Sequence, residues 1–129
     1  MIVLRAMKTD EDGLPKIGDD ARSLGVRLSG RVRDIVADEA GAVHPQTGGM
    51  SVSPPPPQNL QKHRRPPEYS GTGRDPIWEM ETDELPDGLI YRPDPGRPDE
   101  HGFVEPDRVM SLEDYRRLLH GTREFWSEF

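Results

Sequence analysis

Ser51 and Ser53 follow a Gly48-Gly49 pair in the run Thr47-Gly48-Gly49-Met50-Ser51-Val52-Ser53, which ends on Pro54-Pro55-Pro56-Pro57. Glycine lets the backbone turn and come close to a ligand. Met50 to Ser53 alternate apolar and polar as a strand does, so both hydroxyls point to one face, and four prolines stop the strand at once. A turn, a two-serine strand and an abrupt stop make the floor of a ligand cleft. The same pattern also describes a hairpin edge with solvent-facing serines. Arg5 ends the apolar run Ile2-Val3-Leu4, and Glu105 ends His101-Gly102-Phe103-Val104. A guanidinium and a carboxylate thus stand at the ends of two further strands.

Other chemistry is less well supplied. His44, His63, His101 and His120 form no i, i+4 pair and have no carboxylate at zinc-ligand spacing, so no metal site is expected. His44 lies seven residues before Ser51 across the Gly-Gly turn and can line the same cleft. A Ser-His-Asp hydrolase lacks its nucleophile elbow, because Gly49-Met50-Ser51-Val52-Ser53 has no final glycine. Lys62-His63-Arg64-Arg65 is a basic cluster in an acidic chain, a solvated loop or a holder for one phosphate. Gly71-Thr72-Gly73-Arg74-Asp75 offers backbone N–H groups for phosphate, or is an ordinary turn.

The elements that must position these groups are short. Strands are expected at Ile2-Val3-Leu4, Met50–Ser53, Pro76–Glu81, Leu89–Arg92 and His101–Glu105, with Arg31–Ala37 a strand or extended segment. Asp19 as N-cap predicts one helical turn over 19–25, and 54–74 reads as a long extended loop, a length that in a compact domain points to function or disorder. Leu112, Tyr115, Leu118, Leu119 and Trp126 recur at helical spacing behind Ser111, with Asp114 placed to reach back in a capping box. The expectation is an α+β domain: short strands, long loops and one C-terminal amphipathic helix.

The chain has 129 residues, enough for one domain and one core. Its hydrophobic and charged fractions are equal at 32%, and its mean hydropathy of −0.83 approaches that of disordered chains. Apolar strand runs and two Trp argue for order, in a domain that gains stability from a partner or ligand. With no Cys there is no disulfide framework and no thiolate chemistry, which suits the cytoplasm. No apolar run reaches the roughly 18 residues of a membrane span, and the N-terminus is too quickly charged for a signal peptide. A net charge of −7 argues against nonspecific nucleic-acid binding.

Leu4-Arg5-Ala6, Pro45-Gln46-Thr47-Gly48-Gly49-Met50-Ser51-Val52 and the passage from Glu105-Pro106 to Tyr115 carry a resemblance. In that order they resemble the Arg-Ser-Glu pattern of ADP-ribosyltransferases. More narrowly, they resemble the bacterial ADP-ribosyltransferase-like toxin family typified by the second exported effector of a type VI secretion system, over most of the chain. The resemblance implies a small split β-sheet domain over 1–129 that uses NAD as substrate. Glu105 and Ser51 would be catalytic. Arg5 would pair with a phosphate, and Ser51, Ser53, Gly49 and His44 would line the nicotinamide-ribose side, with Tyr69 and Trp78 as stacking surfaces. A carboxylate beside the nicotinamide–ribose bond stabilises an oxocarbenium-like transition state. Enzymes of this pattern that modify a protein side chain often carry a second Glu or Gln two residues before the catalytic Glu; that position here is Phe103, which on the usual pattern speaks against arginine-directed transfer. The departure leaves NAD hydrolysis, another acceptor, or lost catalysis.

The resemblance further implies a cytoplasmic-acting effector or toxin–antitoxin component, neutralised by a cognate immunity protein or antitoxin. The rival reading is a non-catalytic interaction module that presents its proline-rich loops and C-terminal helix to a partner.

Overall fold

The computed structural model describes residues 1–129. Eight strands and one helix succeed one another: β1 (Ile2–Ala6), β2 (Ala42–Val43), β3 (Met50–Val52), β4 (Ile77–Glu81), β5 (Leu89–Pro93), β6 (Gly102–Pro106), β7 (Met110–Ser111), α1 (Leu112–His120) and β8 (Ser127–Glu128). They form three antiparallel sheets, in the orders β1-β4-β8, β3-β6-β5 and β2-β7. The result is a small mixed α/β domain, mostly strand with a single helix. No helix is long and apolar enough to cross a membrane.

Alternation decides which way each strand faces. Met50 and Val52 of β3 are buried and Ser51 between them is half-buried. In register, Met50 pairs with Val104 and Ser51 with Phe103, while Phe103 pairs on its other side with Arg92. Paired residues share a sheet face. One face therefore carries Met50, Val52, Val104 and Tyr91 into the core, and the other carries Ser51, Phe103, Glu105 and Arg92.

The core gathers Val3, Met7, Met50, Val52, Trp78, Met80, Val104, Tyr115, Leu119 and Trp126 with Leu24, Val26 and Ile35 from irregular segments. Each such side chain contributes about 1.5–3 kcal/mol by leaving water, so loops supply a good share of the stabilisation.

The helix begins where its cap predicts. Ser111 Oγ accepts from the Asp114 N–H at 3.0 Å. The reciprocal half of the box is missing, because the Asp114 carboxylate turns to Arg117. Tyr115 and Leu119 are the buried stripe of α1. Trp126 is not on it: the helix ends at His120, and Trp126 follows a 3-10 turn over Arg123–Phe125 before entering the core.

Two loop expectations are corrected and one is narrowed. Residues 19–25 form turns rather than a helical turn, because Leu24 pairs with Lys16 through its N–H at 2.8 Å. Residues 31–37 are not a strand; Ile35 alone is buried, with Val32 and Val36 exposed. The 54–74 loop is not simply extended. It contains 3-10 turns at Pro57–Asn59 and Pro67–Tyr69, and Arg65 fastens it through the carbonyls of Gln58, Leu60 and Ser70.

Candidate functional site

Arg5, Ser51 and Ser53 line one cavity of about 240 Å³, together with Arg27, Asp34, Asn59, Arg64, Arg97 and His101. β1 and β3 bring the first three together. Leu4 and Ser53 exchange backbone hydrogen bonds of 2.7 and 2.9 Å, which sets Arg5 beside the serine strand. The two serines do share an outlook, as the alternation requires. Nucleotide-sized ligands commonly occupy pockets of about 300 Å³ or more, so this cavity takes part of such a molecule.

Arg5 is buried, with 5% of its surface exposed. Its Nε and Nη2 donate to the Ser23 carbonyl at 3.1 and 2.8 Å, and Nη2 also reaches the carbonyls of Asp20 and Gly25. Nη1 donates to the Ser51 carbonyl at 2.8 Å, leaving its second N–H free of these bonds. Burial lowers the guanidinium's pKa to about 10, against a smaller opposing pull from Asp34. Arg5 thus holds β1, β3 and the 20–25 loop to one another from the wall of the cavity.

Glu105 stands on the same sheet face as Ser51, two residues along β6 from Phe103. Its side chain does not line the cavity. It is 3% exposed, and Oε2 accepts from Arg92 Nε at 2.9 Å and from the Gln46 backbone N–H at 3.1 Å. Arg92 lies across Phe103, its guanidinium carbon 4.8 Å from the ring centre, a cation–π contact. His101 meets the same ring edge-on at 4.9 Å. Phe103, where an acid would stand in an arginine-directed transferase, is the platform that seats Arg92 over Glu105.

Gly49 faces Glu105 across β6. A Cβ there would lie 2.7 Å from the Val104 carbonyl oxygen and 3.1 Å from Glu105 Cβ, so glycine permits the close crossing. The Tyr115 hydroxyl sits beside it, donating to the Val104 carbonyl at 2.6 Å and accepting from the Met50 N–H at 3.0 Å. Burial raises the Tyr115 pKa well above its ordinary value, so the phenol stays neutral and keeps both bonds. Through it α1 fixes the two strands that carry Ser51 and Glu105.

The remaining expected residues lie elsewhere. His44 pairs with Asp38 at 2.8 Å in an exposed turn. Tyr69 packs against Phe129, with ring centres 5.9 Å apart. Trp78 is sealed in the core, its indole N–H donating to the Met7 carbonyl at 3.0 Å. No cluster of three or more His, Cys, Asp or Glu side chains is arranged to hold a metal ion.

Two cavity arginines, Arg27 and Arg97, escaped the sequence pattern, while Arg64 comes from the Lys62–Arg65 cluster that the sequence offered as a phosphate holder. Gly73 explains how Arg64 is placed. A Cβ on Gly73 would lie 2.6 Å from the Arg64 carbonyl carbon, so the returning chain passes close behind it. The N–H groups of Thr72 and Gly73 go to the carbonyls of Lys62 and Arg65 at 2.9 and 2.7 Å, which makes this glycine loop a brace rather than a phosphate cradle.

No protein-family model matches the chain, and a search of the curated proteins finds no match.

Proposed function

We propose that this domain is an NAD-binding toxin of the ADP-ribosyltransferase-like type, with its dinucleotide in the arginine-lined cavity and Glu105 beside the scissile bond. The observation that carries the reading is the convergence of Arg5, Ser51 and Ser53 on one cationic cavity, with Glu105 on the same face of the adjoining strand. The bridge between the Arg strand and the Ser strand, and the pairing of the Ser strand with the Glu strand, support this reading. Four arginines and one carboxylate line the cavity, a balance suited to phosphate.

In this reading the bond between the ribose C1′ and the nicotinamide nitrogen breaks, and its electron pair leaves with neutral nicotinamide. Glu105 stabilises the positive charge left on the ribose, and water or an acceptor nucleophile adds at C1′ and gives up a proton. Arg92 must move off Glu105 for this to happen. The acceptor is not an arginine, since Phe103 replaces the acid that such transfer uses. A cognate immunity protein or antitoxin would neutralise the domain, in the cytoplasm, by covering the cavity.

A second reading, the non-catalytic interaction module, is favoured by the sealing of Glu105 at 3% exposure. Nicotinamide release separates the two. Purified protein incubated with NAD should liberate nicotinamide, and Glu105→Gln should cut the rate about a hundredfold or more. Equal rates in both proteins would sink the catalytic assignment, and no release by wild type would favour the module.

A further inference from the structure

Of the four cavity arginines, two are already engaged. Arg5 is spent on backbone carbonyls. Arg27 holds Asp34, the one carboxylate of the cavity, through Nε and Nη2 at 3.2 and 2.9 Å, and the Arg27 backbone N–H adds a third bond at 2.6 Å. Arg64 and Arg97 are different. The carboxylates whose charge reaches Arg64 are Asp34 and Asp75, and Asp75 is bound bidentately by Arg22 at 2.6 and 2.8 Å. Arg97 forms no salt bridge; Asp94, the carboxylate that feels its charge, takes His101 Nδ1 at 2.9 Å and the Gly96 N–H at 3.0 Å.

Half-buried Arg64 and exposed Arg97 therefore line the cavity without a salt bridge of their own. Partial burial and the charge of Arg27 both press on Arg64, and its pKa is lowered accordingly. Like charges gathered this way repel one another, and a multivalent anion relieves the repulsion while filling planar N–H forks that match phosphate oxygens. A cavity of about 240 Å³ accommodates a diphosphate with an attached sugar better than a whole dinucleotide. The two arginines also come from separate segments, Arg64 from the braced loop and Arg97 from the turn before β6.

We propose that Arg64 and Arg97 form a diphosphate-binding grip, with Arg5 as the frame behind it rather than the residue that holds phosphate. The assignment rests on the dinucleotide reading above for its setting, and it names which residues hold the ligand's diphosphate. The serine hydroxyls of β3 then face the sugar side of the bound group.

Calorimetric titration with ADP-ribose, inorganic pyrophosphate and adenosine tests the grip. Wild type should bind ADP-ribose and pyrophosphate but not adenosine. Arg64→Gln and Arg97→Gln should each weaken ADP-ribose binding about tenfold or more, and the double variant further. Arg108→Gln, which alters an exposed residue paired with Asp87 and Asp107, should bind as wild type does. Thermal melting should stay unchanged in the Arg64 and Arg97 variants, since neither side chain holds a carboxylate. Absence of pyrophosphate and ADP-ribose binding in wild type, or equal binding in the double variant, would overturn the grip. The cleavage reading fails separately: ADP-ribose binding without nicotinamide release leaves the grip standing, and nicotinamide release without ADP-ribose binding does the reverse.

Discussion

Arg92 Nε lies 2.9 Å from Glu105 Oε2 while its guanidinium rests 4.8 Å above the ring of Phe103. The acid is nearly sealed and the base is 21% exposed, so the two substitutions are unequal. Removing Arg92 strands a buried carboxylate with one backbone N–H for company. Arg92→Ala should therefore destabilise the domain by about 3–5 kcal/mol, and Glu105→Gln by less, because Arg92 can turn to water. Urea unfolding of both singles and of the double variant checks this. The double variant should be less damaged than the sum, and strict additivity would mean that the pair does not couple.

Tyr115→Phe removes one oxygen and unpairs two backbone groups. The Met50 N–H and the Val104 carbonyl both lose their partner inside the core. Each buried, unpaired group costs about 1–3 kcal/mol, so a loss of about 2–6 kcal/mol is expected. Amide exchange at Met50 should speed up more than at Val3 in β1. Uniform acceleration across both sheets would contradict a local clamp.

Arg5→Lys keeps the charge but not the reach of the guanidinium. The carbonyls of Ser23 and Ser51 cannot both be served by one ammonium with their present spacing, and the 20–25 loop loses its tether. Stability should fall by about 2–4 kcal/mol. Binding of pyrophosphate should weaken in proportion to the unfolded fraction and no further at temperatures where the variant is folded. A Kd shift in a fully folded Arg5→Lys protein would return a ligand-holding role to Arg5.

His120, near the C-terminal end of α1, has its pKa lowered from the usual histidine value, first by burial and then by Arg116, against Asp19. A depressed folded pKa means that the unfolded chain binds the proton more readily. The contribution is present above the ordinary value near 6.5 and is lost as pH falls through the folded one. Urea midpoints should therefore drop on acidification from pH 7 toward pH 5. His120→Gln, with no proton to take up, should flatten that part of the profile. An identical slope in both proteins would assign the acid sensitivity to other groups.

Local pattern was enough to read the alternation of β3 and the start of the helix. The alternation of Met50, Ser51 and Val52, and the cap at Ser111, are written in adjacent residues and appear as such in the fold. The environment of Arg5 was not legible, because its acceptors are carbonyls of an irregular loop, and carbonyls leave no mark on a sequence. Glu105 reads as an exposed strand-end acid until β5 is laid beside β6 and brings Arg92 over it, a meeting that depends on register. Arg64 and Arg97 sit 33 positions apart and converge only through folding of the loops. Trp126 fits the helical spacing by coincidence, since the chain turns before reaching it.

The two three-stranded sheets touch through backbone at one rung, where Leu4 and Ser53 exchange two hydrogen bonds. Arg5 adds a side-chain tie one residue further along. Each of these bonds contributes about 1 kcal/mol, small beside the stability of the whole domain. Val3, Trp78 and Met80 of one sheet share a core with Met50, Val52 and Val104 of the other, so the rung closes over apolar packing that spans both sheets and fixes their angle where hydrogen bonds alone could not.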